Sequence, residues 1–297
     1  MKFTVRVPAS TANLGPGFDT FGLSLALHDV VEFETTESGV DIEVLDAGAG
    51  DMRRVPRTGR HLIMRALRAA CGRLGTSPPG LRVRCHNAIP HSRGLGSSAA
   101  AIVTGIAAAY TLAGRELDAD ALHLAADFEG HADNVAASLY GGFVVAWESE
   151  GGFRAERLTP HHAIRPVVAV PSTQSSTHET RGLIPEQVPL ADAVFTGGRT
   201  ALAVHAMTSR PDLLLDATGD RLHQDYRRPA YPATMRLVDE LRSRGIAAAV
   251  SGAGPTVLAL PYGEQSGAGI VPPDVDVDGY EILAPAIDLD GVQIYLA

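Results

Sequence analysis

The sequence predicts an α+β protein built as two domains. Three observations carry that expectation. Strand patterns dominate the chain up to about residue 90, the stretch from Ser97 to Gly141 is helical, and the second half restarts with a strand and mixes both types. Strict strand–helix alternation, the mark of a doubly wound sheet, is missing. The 297 residues suffice for two lobes of about 150 residues, each with its own core.

Taken in order, "KFTVRVPAS" alternates Phe3, Val5 and Val7 with Lys2, Thr4 and Arg6, the period of a half-buried strand. "HDVVEFETTE", "GVDIEVLDAG" and "LRVRCHNAIP" continue in the same character. Between them "GRHLIMRALRAACGRLG" sets Leu62, Ile63, Ala66, Leu67 and Ala70 on one helical face. Helices follow from Ser98 to about Ala113, over "DADALHLAADFEG", and over "DNVAASLYGG", with Asp133 placed as N-cap and Gly141 as the stop. "GFVVAWE" is the next strand. "SEGGFRAERLTPHHAIRP" is Gly-rich, charged and ends in Pro, so the domain junction is expected within residues 150–165, giving domains 1–155 and 156–297. Beyond it come a strand "PVVAVPS", helices around "DAVFTGGRTALAVHAMTS" and "PATMRLVDELRSRG", a strand–turn–strand "IAAAVSGAGPTVLALP" and a last strand "GVQIYLA".

Composition narrows the function. A formal net charge of -9 with no Lys/Arg run argues against nucleic acid as a partner. Lys2 is the only lysine, so no lysine serves as a phosphate clamp or Schiff-base former. Cys71 and Cys85 lack CxxC spacing and a matching His cluster, which fits a reducing compartment without a disulfide framework or a zinc site. The N-terminus lacks the apolar core of a signal peptide, and the weakly polar run Ala99 to Ala113 is shorter than the ~20 residues of a membrane span. A soluble cytoplasmic protein with no membrane partner is expected.

The chemistry concentrates in "PHSRGLGSSAA", residues 90–100. Gly94 and Gly96 allow backbone conformations closed to other residues and close approach of a ligand. Ser97 and Ser98 stand where a helix begins, with orphan amides and a favourable dipole. A Walker A loop is excluded because it demands a lysine. Taken alone, the stretch reads equally well as a Ser-capped helix after a glycine turn.

Three further stretches add context: "PASTANLGPGFDTFGLSL", "EGHADNVAASLYGG" and "SGAGPTVLAL". Together with "PHSRGLGSSAA" they resemble the GHMP kinase superfamily, from about Val5 to Leu260 and in the same order. The resemblance implies an N-terminal ribosomal-protein-like domain and a C-terminal ferredoxin-like domain. Within the superfamily it resembles the branch acting on L-homoserine, which implies ATP-dependent phosphorylation of that amino acid's side-chain hydroxyl on the route to threonine. It also implies a homodimer.

The same resemblance implies roles. Pro90, His91, Ser92, Arg93, Gly94, Leu95, Gly96, Ser97, Ser98 and Ala99 would cradle ATP, with the Ser98 hydroxyl and the Glu129 carboxylate holding Mg2+. A zwitterionic substrate needs acceptors for its ammonium and forked donors for its carboxylate. Asn13 and Asp19 take the first task, with His131 and Asp133 close by. Arg181 and Arg227 take the second, with Arg228 as an adjacent alternative. Asp133 and Asn134 lie beside the reacting hydroxyl; without the resemblance Asp133 would be a plain helix cap. Of the eleven histidines only His131 and the phosphate loop's His91 lie in a matched motif. His61 departs from the asparagine many relatives carry, leaving the contacts to the base open, and "FTGGRTAL" puts Gly197 and Gly198 inside a helix at a cost of about 1 kcal/mol each. A related kinase acting on mevalonate or a sugar, and a ligand-binding relative without transfer, are the competing readings.

Overall fold

Two antiparallel hairpin systems organise the chain, and the computed structural model describes residues 1–53, 55–78, 80–173, 180–263 and 275–297. Strands β1 (Lys2–Asn13), β2 (Gly17–Thr36), β3 (Val40–Asp46), β4 (Gly80–Asn87), β5 (Phe143–Ser149) and β6 (Gly152–Leu158) belong to one sheet, together with β11 (Gln293–Leu296). Its order is β11-β1-β2-β4-β3, and β5 pairs the early part of β2 and carries β6 outside it. Only β3 and β4 run parallel in this sheet. The period-two pattern works as expected: Phe3, Val5 and Val7 are buried beside Phe33 and Val31, while Lys2 and Glu34 pair on the outer face.

Helices α1 (Leu62–Arg73), α2 (Ser97–Leu112), α3 (Ala119–Glu129) and α4 (Asp133–Tyr140) follow the expected segments. α2 is buried on nearly every side from Ala99 to Tyr110, which explains why it reads as small apolar residues without a polar face. The second sheet has the order β10-β7-β9-β8, with β7 Val167–Pro171, β8 Ala248–Val250, β9 Val257–Ala259 and β10 Tyr280–Leu283. The helix Pro232–Ser243 packs Met235, Val238 and Leu241 against Val167, Val250 and Val257 in a second core.

Three expectations are corrected. The stretch read as a junction contains strand β6, whose charges Arg154 and Glu156 alternate along an exposed edge that still pairs β5 throughout. The expected division between residues 155 and 156 falls inside that strand, and β11 returns the end of the chain to β1 in the first sheet. Asp133 is the first residue of α4 rather than its cap, which is Ala132. Among the described residues no helix is long and apolar enough to cross a membrane.

Candidate active site

The loop 90–99 joins β4 to α2, and its direction is set before it begins. The buried Asp29 carboxylate accepts the Ala88 and Ile89 amides at 2.7 and 2.9 Å, turning the chain as it leaves β4. Ser92 (φ 56°), Gly94 (φ 78°) and Gly96 (φ 69°) then all take the left-handed conformation. A Cβ on Gly94 would collide with the Ser251 carbonyl, and one on Gly96 with Ser10 Oγ. The glycines therefore let the loop press against β1 and the turn after β8, a role that the expectation of ligand approach did not include.

The loop also has a polarity. The Leu95 carbonyl accepts from the Ser10 amide at 3.2 Å, Arg93 from the Thr256 amide at 3.3 Å, and Gly94 from Ser251 Oγ at 2.6 Å. Arg93 itself bridges to the second sheet through the Pro171 and Ser172 carbonyls at 2.8 and 2.9 Å. In contrast, the backbone amides from His91 to Ala99 have no acceptor among the described residues. Carbonyls tied to protein and amides left unpartnered at a helix N-terminus make an anion site. His91, Ser92, Ser97 and Ser98 line a cavity of about 920 Å³ that runs past Pro56, His61 and Asn87.

From Ser98 a chain of contacts leads away from the cavity. The Ser98 hydroxyl donates to Glu129 Oε2 at 2.7 Å. Burial raises the Glu129 carboxyl above the usual glutamate range, with Asp133 adding to the rise and the Ser98 hydrogen bond and His131 opposing it. Asp133, only 2% exposed, gathers three donors on one oxygen: His131 Nδ1 at 2.8 Å, the Asn134 amide at 2.6 Å and Asn134 Nδ2 at 3.2 Å, all to Oδ1. Its Oδ2 is left without a hydrogen bond among the described residues. Asn134 Oδ1 in turn accepts from Ser10 Oγ at 2.9 Å, which ties the start of α4 to β1. Burial works against charge on His131, but the Asp133 hydrogen bond and the charges of Asp133, Glu129 and Asp19 push it up to about 9, so the ring is an imidazolium at neutral pH.

Asp19 lies at the start of β2, just past the turn from β1, and Asn13 (φ 70°), Leu14 (φ 47°), Gly15 (φ 90°) and Asp19 (φ 55°) around that turn are left-handed. Asn13, expected at a substrate ammonium, spends its amide inside the protein: Nδ2 donates to the Gly252 carbonyl at 2.9 Å and Oδ1 accepts the Asp19 amide at 3.2 Å. Both guanidinium nitrogens of Arg181 donate to the two Asp19 oxygens, one at 3.1 Å and the other at closer range. Arg227 is 2% exposed and has no carboxylate within ion-pair distance among the described residues. It leans on the Thr180 carbonyl at 3.3 Å, His223 Nδ1 at 3.3 Å and the Gly252 carbonyl at 3.4 Å. Burial lowers its pKa below the usual arginine value, and it stays charged at neutral pH. Arg228 is the opposite case, a surface residue paired with Asp225 and Asp239 at 2.7 Å each, and it lies outside the site.

Comparison with known proteins decides the family. The family model described as GHMP kinases N terminal domain matches residues 61–142, and that described as GHMP kinases C terminal matches residues 201–270. The chain is 53% identical over 260 residues to a homoserine kinase of Streptomyces avermitilis, covering 86% of this chain and 84% of that one. It is 53% identical over 274 residues to a homoserine kinase of Rhodococcus erythropolis, covering 88% and 86%. The chain belongs to the homoserine kinase family of GHMP kinases. Its fold matches the crystal structure of homoserine kinase from Cytophaga hutchinsonii with a TM-score of 0.84 at 23% identity, over 99% of this chain and 97% of that one.

This member of the family uses residues at the site that motif reading passed over. Phe18 lies between the two arginines, 5.1 Å from the Arg181 guanidinium carbon and 5.3 Å from that of Arg227, with the His223 ring stacked 5.1 Å away. His223 is fully buried and bonds the Gly15 carbonyl through Nε2 at 2.7 Å, so it joins His131 at the substrate end of the site. Phe18 stands inside "PASTANLGPGFDTFGLSL", and His223 four residues before Arg227. An aromatic next to an expected acidic ligand, and a histidine one helical turn before an expected arginine, were the signals available.

Proposed function

We propose that the chain transfers the terminal phosphoryl group of ATP to the side-chain hydroxyl of L-homoserine, giving O-phospho-L-homoserine and ADP. The observation that carries this reading is the polarity of the loop 90–99, with its carbonyls bound by Ser10, Ser251 and Thr256 and its amides unpartnered. Phosphate oxygens are the ligands such amides suit, and no lysine is needed for them.

A divalent cation fits the next position. The Ser98 hydroxyl and the Glu129 carboxylate are hard oxygen donors beside the phosphate loop, and a carboxyl whose pKa burial has raised gains from a cation. Ser98 and Glu129 would hold Mg2+, which when bound supplies charge neutralisation on the phosphates.

Beyond Glu129 the groups suit a zwitterionic amino acid. Asp19 accepts the ammonium, with Asn13 holding the Asp19 backbone in place. Arg227, buried without a counter-ion, and Arg181 receive the carboxylate in forked hydrogen bonds, and Phe18 spaces the two guanidinium groups. Mevalonate and sugars carry no ammonium for Asp19 to accept. Asp133 Oδ2 accepts the hydroxyl proton in a hydrogen bond and orients the oxygen toward the γ-phosphorus. The new O–P bond forms as the bond to the β-phosphate oxygen breaks, and the hydroxyl proton passes to the transferred phosphate. Where the transition state is loose, positioning and charge stabilisation carry most of the rate, so Asp133 acts as an anchor rather than a base.

The test is ADP release by the purified chain with ATP, magnesium and a panel of alcohols, with the product identified by mass. Phosphorylation of L-homoserine in preference to mevalonate or sugars is expected. Turnover of mevalonate without turnover of L-homoserine would reverse the assignment.

A further inference from the structure

Arg227 keeps its charge in a buried place, and the three acceptors that hold it are neutral: the Thr180 and Gly252 carbonyls and His223 Nδ1. A carboxylate in their place would neutralise the guanidinium and compete with a ligand's carboxylate. Among these acceptors the one side chain is His223, fully buried four residues before Arg227.

Two neighbours fix the state of the His223 ring from opposite sides. The Gly15 carbonyl, 2.7 Å from Nε2, can only accept, so Nε2 carries a proton. The Arg227 guanidinium, 3.3 Å from Nδ1, can only donate, so Nδ1 is bare. Burial lowers the pKa of the ring below the ordinary histidine value, against the pull of Asp220. The Asp220 carboxylate lies 3.6 Å from Nε2, beyond hydrogen-bond range, and accepts the Leu222, His223 and Gln224 amides at 2.8, 3.1 and 2.9 Å. The ring is a neutral link between the turn after β1 and the arginine.

The turn does not depend on that link alone. A Cβ on Gly15 would collide with the Thr218 carbonyl, and Thr200 Oγ1 donates to the Pro16 carbonyl at 3.1 Å. The turn is docked on the second lobe by these contacts as well, whereas Arg227 has no other side-chain acceptor as near as His223 among its hydrogen bonds.

We propose that His223 is a positioning residue for the substrate carboxylate, a neutral acceptor that aims the Arg227 guanidinium and leaves its charge for the ligand. This role rests on the kinase reading above, and it is exerted through Arg227 rather than on the reacting atoms.

Two variants separate positioning from support of the fold. His223→Gln sets an amide nitrogen near the former Nε2, which keeps a donor for Gly15 and offers Arg227 no acceptor at the Nδ1 position. His223→Asn sets an amide oxygen near the former Nδ1, which keeps the acceptor for Arg227 and gives up the Gly15 bond and part of the ring volume. A histidine that only supports the fold is hurt more by Asn, which leaves a cavity. In steady-state kinetics of the full chain with ATP and magnesium, His223→Gln is expected to raise the KM for L-homoserine about 10-fold, with kcat and the KM for ATP within about 2-fold. His223→Asn should recover most of that loss although it melts at the lower temperature. An unchanged KM for L-homoserine in folded His223→Gln, an equal or greater rise in His223→Asn, or a KM for ATP that rises in step overturns the positioning role and leaves the kinase standing. In the wild type, which needs no variant to fold, nitrogen NMR of the histidine rings should find His223 protonated on Nε2 alone, and a proton on Nδ1 overturns the role as well. No phosphorylation of L-homoserine by the wild type overturns the kinase reading and the role of His223 with it.

Discussion

The two ends of the cleft are prepared for their ligands in opposite ways. At the nucleotide end the polar groups are unpartnered: the amides from His91 to Ala99 lack protein partners among the described residues. At the substrate end most polar groups are paired with each other, Arg181 with Asp19 and His131 with Asp133, and Arg227 alone keeps a charge without a counter-ion there. The difference follows from charge. Unpartnered amides are neutral and tolerable in a cavity, whereas carboxylates and guanidinium groups are held in pairs, the His131–Asp133 pair nearly buried and the Asp19–Arg181 pair part-exposed. The Asp19–Arg181 pair thus resembles the substrate it awaits, one negative and one positive group, and a zwitterion takes over both halves of the pair. The nucleotide end offers a preformed surface; the substrate end exchanges partners.

The largest effect should come where the two ends meet. Asp133→Asn is expected to lower kcat by about 10²-fold with no change in the acidic limb of the pH profile that a carboxylate base would set, because an amide still accepts a hydrogen bond but loses charge and the His131 partnership. A near-total loss together with loss of that acidic limb would make Asp133 a base and break the anchor account.

Next in size is the pH dependence of the His131–Asp133 pair. The folded His131 pKa, about 9, lies above the ordinary value of 6.5, so its contribution to stability is complete below about pH 6.5 and is lost as pH rises through about 9. Between pH 7 and pH 9 the loss should be on the order of 2 kcal/mol. Chemical denaturation of wild type and His131→Gln at both pH values checks it, and the variant should not show the drop.

A smaller effect separates neighbouring arginines. Arg227→Lys is expected to raise the KM for L-homoserine about 10-fold, since an ammonium cannot fork onto a carboxylate. Arg228→Lys should leave it within about 2-fold, because Arg228 only bridges Asp225 and Asp239 at the surface. Equal effects would erase the distinction between the buried and the surface residue.

Much of this cleft was legible in the sequence because its signals are local. Period-two alternation in "KFTVRVPAS" and the serines at the start of α2 depend only on near neighbours, and they led to β1 and to the phosphate loop. Family resemblance brought Asp19, Glu129, Asp133, Arg181 and Arg227 into view. What stayed hidden depends on distant packing. The glycines of the loop are required by Ser10 and Ser251, far away in the chain. The choice between Arg227 and Arg228 turned on which side chain the second lobe buries. Strand β6 was missed because an exposed edge carries charges that read as a linker.

The most direct test of the exchange at the substrate end compares L-homoserine with 4-hydroxybutyrate, which has the same carboxylate and hydroxyl and lacks the ammonium. With saturating ATP and magnesium, kcat/KM for 4-hydroxybutyrate should be lower by about 10-fold or more, because the charged hydrogen bond from the ammonium to Asp19 is lost. Equal kcat/KM for the two alcohols would contradict the account, since Asp19 would then have no ammonium to meet.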